Sequence, residues 1–320
     1  MSNSSHTKNP AVNVGDGVVD NLPLRGDAPE LDGLRARVVQ EARLLWDVGR
    51  PRRPIIEAHQ STLARPEGAI RHCVLLHGWH STERQMRAWQ RALQELPEAE
   101  GVHFWRVSYD THWKSFQRSA RQVMQELRRR DSDWSDTLLI GYSMGGIVAR
   151  QMVAYGFPCQ SLIALCSPHN GAMAWSPLRF PLAGDPGAGT LVSWSPKLRA
   201  LNNNPRDRAH RSRYHFRAIT FSDRRGFHDN DGIVGRPSAM AEALGPVASR
   251  AITHFHYQQK PEFFTDPHMG GMSPRSLPEV AELCREIFIG KAPAPPTSHE
   301  ETVIEAAPPQ NASFDGVASI

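Results

Sequence analysis

A serine sits between glycines in Gly141-Tyr142-Ser143-Met144-Gly145, and that spacing has a chemical meaning. The apolar run Leu138-Leu139-Ile140 before it reads as a strand. The run from about 146 to 155 after it has helical spacing, and Gly156 is a natural stop. A G-x-S-x-G turn between strand and helix lifts a hydroxyl clear of the sheet and aims the positive end of a helix at it. Residues two away from the serine must lack bulk, or the strand and helix would collide. Such a serine is placed for nucleophilic attack, and the amide of Met144 is placed to hold the resulting oxyanion.

Three other stretches complete that chemistry. Leu75-Leu76-His77-Gly78-Trp79 ends a strand on a glycine, so that the chain turns tightly and the Trp79 amide can point inward as a second oxyanion donor. Trp79 can also line an acyl pocket. His77 lies beside the turn and reads as a hydrogen-bonding brace for the loop rather than a base. Asn230-Asp231-Gly232-Ile233-Val234 offers a carboxylate in a loop past a strand, able to fix the tautomer of an imidazole. Asp229 and Asp223 compete for that role, and Asp231 is preferred because it directly precedes Gly-Ile-Val. Thr265-Asp266-Pro267-His268-Met269-Gly270-Gly271 lies between the last strand and the last helix, where His268 can reach back as general base. His254 and His256 are the alternatives, but they alternate within the strand-like RAITHFHY.

The order Ser143, Asp231, His268 is that of an α/β-hydrolase. Over roughly residues 70–290 the chain resembles the lipase and esterase families of that fold: HGW is similar to their oxyanion loop, GYSMGG to their GHSxGG elbow, and NDGIV to their acid loop. Ser167-Pro168-His169-Asn170-Gly171 and SPKLRALN (195–202) are similar to segments of bacterial triacylglycerol-lipase-like and inositol-deacylase-like members, the second to their lid segment. That resemblance implies a serine hydrolase acting on carboxylic esters without a cofactor, with His169 bracing the loop near the site. Tyr142 replaces the frequent histidine of the elbow, and Gly235 stands where many relatives have proline. The same triad also serves thioesterases, amidases and acyltransferases, and a hydrolase fold can be a non-catalytic binding protein.

The elements needed to position these residues are present. A strand over 71–76 precedes a helix with Met86, Trp89, Leu93 and Leu96 on one face, and Thr82 and Gln85 have capping-box spacing at its start. A strand over 103–109 leads to a helix with Phe116, Ala120, Val123 and Leu127 on its inner face. After the elbow come strands at 161–166, 215–221 and 250–257, and a last helix with Val280, Leu283, Cys284 and Ile287 on one side. This alternation predicts an α/β fold with a mostly parallel sheet covered by helices on both faces. Leu34, Val38, Leu45 and Val48 suggest a further helix at its edge. The interval of about 167–214 is too long for a simple connection and suits a lid. Its Trp175, Leu178, Phe180, Leu182, Leu191, Val192 and Trp194 could cover an acyl chain, with Trp79, Tyr142 and Trp175 as the expected substrate contacts. A surface loop anchored by large side chains fits the same residues.

Residues 1–30 and the Pro- and Ala-rich 291–320 read as disordered tails around one domain at 31–290. The N-terminal stretch has no apolar core for a secretory signal, and no run approaches the roughly 20 apolar residues of a membrane helix. The expected compartment is therefore the cytoplasm. Cys73, Cys159, Cys166 and Cys284 have no metal-ligand spacing and read as buried thiols. No metal site stands out. Net charge is +4, and arginines concentrate in 205–225. That stretch reads as a solvated face or as a contact with anionic lipid head groups, and nothing in the chain resembles a nucleic-acid module. The expected partner is a small-molecule or lipid-like acyl ester.

Overall fold

The computed structural model describes residues 55–131, 133–172, 186–193, 195–257, 266–270, 273–274, 277–291 and 301–306. Its centre is one sheet. The strands are β1 (Ile55–His59), β2 (His72–Leu76), β3 (His103–Ser108), β4 (Thr137–Tyr142), β5 (Ser161–Leu165), β6 (Tyr214–Asp223), β7 (Gly226–His228), β8 (Ser249–Tyr257) and β9 (Glu301–Ala306). They lie in the order β1-β3-β2-β4-β5-β6-β8-β9, with β7 hairpinned onto β6. β1 runs antiparallel to β3 and β7 antiparallel to β6; every other neighbouring pair is parallel.

Alternation along the central strands decides which helix covers which face. Val74, Leu76, Leu139, Leu162 and Ala164 face the layer formed by α2 (Phe116–Arg128) and α3 (Met144–Ala154). Cys73, Leu75, Leu138, Ile140, Ile163 and Leu165 face the layer formed by α1 (Arg87–Gln94) and α7 (Pro278–Phe288). The three apolar helix faces read from spacing at Met86, Phe116 and Val280 are faces buried here. All four cysteines are buried free thiols.

Element ends move by one to three residues from the sequence reading. The departures of substance lie elsewhere. Thr82 accepts from the Arg84 amide at 3.4 Å and caps a 3-10 turn over Glu83–Met86, which leads into α1. Gln85 does not close a capping box: its Oε1 accepts from the Gly78 amide at 2.7 Å. Between 195 and 214 the chain forms α4 (Pro196–Asn202) and α5 (Pro205–His210). Leu198 and Leu201 of α4 are buried in the core, so the stretch that resembles a lid belongs to the packed body of the domain. Glu301–Ala306, inside the segment read as a tail, pairs in parallel with β8. The helix expected over 34–48 lies outside the described residues, as do Trp175, Leu178, Phe180, Leu182 and Trp194. Among the described residues no helix is long and apolar enough to cross a membrane.

Candidate active site

Ser143 is the residue between β4 and α3, with φ 52° and ψ −120°. Its amide donates to the Leu165 carbonyl at 2.7 Å, so the end of β5 holds the turn in that unusual conformation. The glycines are explained by contact. A Cβ on Gly141 would lie 2.4 Å from the Gly145 carbonyl carbon, and one on Gly145 would lie 2.2 Å from the Leu76 carbonyl oxygen. Strand, turn and helix therefore approach more closely than any side chain permits. Gly146 is equally confined, its missing Cβ lying 2.1 Å from Ser167 Oγ.

His268 sits on the short helix α6 (Asp266–Gly270) and Asp231 in the loop after β7. The fold brings both to the serine. His268 Nε2 is 3.0 Å from Ser143 Oγ, and His268 Nδ1 is 2.6 Å from Asp231 Oδ2. The other carboxylate oxygen, Oδ1, accepts from the amides of Ile233 at 2.9 Å and Val234 at 2.7 Å. These bonds direct the carboxylate. With Asp231 accepting at Nδ1, the proton of a neutral imidazole sits there, and Nε2 presents a lone pair to the serine hydroxyl. Ser143, His268 and Asp231 are 8%, 4% and 0% exposed, so the array is desolvated except at the nucleophile and base edges.

The competing side chains are engaged elsewhere. Asp229 Oδ1 accepts from Arg236 Nε at 2.6 Å, and Asp223 faces His228 at 3.1 Å. His254 bonds Thr220 and Ser222 across β6 and β8, and His256 bonds Ser222. His77 donates from Nδ1 to the Gly78 carbonyl at 2.7 Å and accepts the Tyr109 amide at Nε2. Both nitrogens are spent, and burial lowers its pKa to about 4. It braces the loop.

The Gly78 turn runs against the nucleophile: a Cβ on Gly78 would be 3.2 Å from Ser143 Cβ. Trp79 follows it, half-buried, with its ring against His80 and His112. Met144 is the first residue of α3, where an amide has no acceptor within the helix. Tyr142 differs from the expectation of a substrate contact. It is 2% exposed, its hydroxyl donates to the His268 carbonyl at 2.9 Å, and its ring centroid lies 5.2 Å from the imidazole.

Behind the elbow lies a polar network that the sequence did not announce. Arg150 is fully buried on α3 and forms a bidentate pair with Asp207 of α5, Nε to Oδ1 at 3.0 Å and Nη2 to Oδ2 at 2.8 Å. Arg211 and the Tyr214 hydroxyl share the same carboxylate. Arg150 Nη1 also reaches Asn202 and His169 Nδ1, and Asn202 Nδ2 donates to the His169 carbonyl. Burial, with Arg150 next in effect, holds His169 well below the usual histidine range, so it braces as a neutral ring. One arginine inside the apolar GGIVARQMVA was the available signal, since a buried guanidinium needs a carboxylate. Arg211 and Arg217, within the stretch read as a charged face, are buried as well.

The family model for palmitoyl protein thioesterase matches residues 72–215, a span that includes Ser143 and stops before Asp231 and His268. Among solved structures, Bacillus licheniformis lipase BlEst2 in mature form matches with a TM-score of 0.50 at 15% identity, over 72% of this chain and 98% of that one. The propeptide form of the same lipase gives 0.48 at 13% identity, over 79% of this chain but only 56% of that one. The product of the Listeria innocua gene lin2722 gives 0.45 at 16% identity, over 74% and 99% of the two chains. No curated protein matches by sequence. The mature lipase and the strand order together assign the α/β-hydrolase fold.

Proposed function

We propose that this protein is a serine hydrolase that cleaves the carbonyl–heteroatom bond of an acyl ester through a covalent intermediate on Ser143. One observation carries the reading: the unbroken hydrogen-bonded path from Asp231 through His268 to Ser143 Oγ at the strained strand–helix turn. In the first step Oγ attacks the acyl carbon while its proton passes to His268 Nε2. The amides of Met144 and Trp79 bind the oxyanion, and Asp231 stabilises the imidazolium. Collapse of the tetrahedral species breaks the bond to the leaving group, which takes the proton from Nε2. Water then attacks the acyl-serine, His268 accepts its proton, and the free acid leaves with Ser143 restored. None of these steps calls on a cofactor.

A thioester is the second reading of the leaving group, favoured by the family match over 72–215. A thiolate leaves more readily than an alkoxide, so the acylation step asks less of His268 as an acid. The family match favours a lipid-like acyl chain in both readings, and a small acyl ester fits the same triad.

The test is a paired series of p-nitrophenyl esters and acyl thioesters of increasing chain length, run on the parent and on Ser143→Ala. Turnover of at least one series that falls by about 10⁶ in the variant supports the reading, the scale seen when a triad serine is removed. Equal turnover in parent and variant overturns it.

A further inference from the structure

We propose that Tyr142 is a positioning residue that couples the base to the nucleophile, by holding the backbone of His268 while being bonded directly to Ser143. This rests on the serine-hydrolase reading above. Tyr142 ends β4, and strand alternation turns its ring to the face opposite α3, together with Leu138 and Ile140. From there it reaches under α6. Its hydroxyl donates to the His268 carbonyl at 2.9 Å, its ring centroid is 5.2 Å from the imidazole, and Met269 Sδ lies 4.0 Å from the hydroxyl.

The bond matters because α6 has only five residues. A single helical turn has too few internal bonds to hold itself in place, and its carbonyls lack partners within the helix. Asp231 and Ser143 engage the two ring nitrogens of His268, but both bonds act on the ring and neither holds the backbone that carries it. The Tyr142 hydroxyl supplies a second fixed point, at the backbone from which the ring hangs. That point belongs to the residue preceding Ser143, so a displacement of the elbow carries the support of the base with it. Burial raises the phenol pKa well above its ordinary value, with Cys166 and Asp231 adding to the effect, so the group keeps its proton and remains a donor.

A merely packed tyrosine and a positioning tyrosine respond differently to removal of the hydroxyl. The test uses the full chain with Tyr142→Phe, and with 4-aminophenylalanine at the same position, which restores an N–H donor. Three quantities are read: kcat and KM on the most active substrate of the panel, the thermal midpoint, and the low-field proton resonance of His268 Nδ1–H in the Asp231 hydrogen bond. Positioning predicts that Tyr142→Phe remains folded and loses about 10- to 100-fold in kcat with KM within about twofold, as expected when reacting groups drift by about 1 Å. The low-field resonance broadens or disappears, and the amino variant recovers kcat and resonance together. An active parent with kcat and resonance unchanged in folded Tyr142→Phe overturns the inference. So does loss in both variants with the resonance intact. A parent that hydrolyses nothing in the panel contradicts the hydrolase reading instead, and the resonance then still decides whether Tyr142 holds His268.

Discussion

Ser143 adopts a positive φ that side chains other than glycine enter at a cost of about 1–3 kcal/mol. The surrounding bonds enforce that cost, and the product is a hydroxyl aimed at His268. Asp231 is the residue on which this arrangement can be tested most finely. In Asp231→Asn the amide nitrogen cannot accept the Nδ1 proton, so the imidazole adopts the other tautomer and Nε2 no longer offers a lone pair. The expected result is a folded protein whose kcat falls by about 10⁴; a fall of less than tenfold would remove Asp231 from the mechanism. That Ser143, Asp231 and His268 come together was legible because each lies in a short segment with its own local signature beyond a strand. The burial of Tyr142 and its bond to the His268 carbonyl were not legible, since that bond spans 126 positions of sequence. Gln85 was misread for a related reason: capping-box spacing is local, whereas the buried Gly78 amide needed an acceptor and took it.

Elements recovered from the sequence are those whose periodicity is strong. The inner faces of α1, α2 and α7 were written in apolar spacing, and the central strands in short apolar runs bounded by glycine or polar residues. β1, β7 and β9 were not found. β7 is three residues long, and β1 and β9 are edge strands, whose partners lie far away in sequence. The stretch 195–202 resembles a lid, yet its leucines are buried and the Arg150–Asp207 pair ties the following helix to α3. The elbow helix therefore depends on α5 for its seat. Asp207→Asn leaves the Arg150 guanidinium buried without a full counter-charge. Breaking such a pair costs about 3–5 kcal/mol, so the urea midpoint should drop accordingly. A change below about 1 kcal/mol would show that the network is not a structural clamp.

For the molecule as a whole, the mostly parallel topology follows from strand–helix alternation, and it delivers the loops after β2, β4, β6 and β8 to one edge. The same burial that builds this sheet leaves histidines with little room to charge. Burial lowers the pKa of His77 to about 4 and, aided by Arg217, that of His215 to about 3. In the unfolded chain both titrate near 6.5. Between those values the unfolded state binds more protons, so stability rises with pH and is lost as pH falls below about 6.5. At about 1.4 kcal/mol per pH unit, that amounts to about 3 kcal/mol for His77 and about 5 kcal/mol for His215 across their windows. Urea denaturation at pH 7 and pH 4.5 should show this slope, and His215→Gln, which cannot titrate, should flatten it. An identical slope in the variant would assign the effect to other groups.

A fluorophosphonate probe followed by peptide mass spectrometry asks whether Ser143 is a nucleophile activated by His268. One adduct is expected, on the peptide containing Ser143, absent in Ser143→Ala and strongly slowed in His268→Ala. A folded parent that takes no label, with or without detergent micelles, or that takes it at another residue, would contradict it.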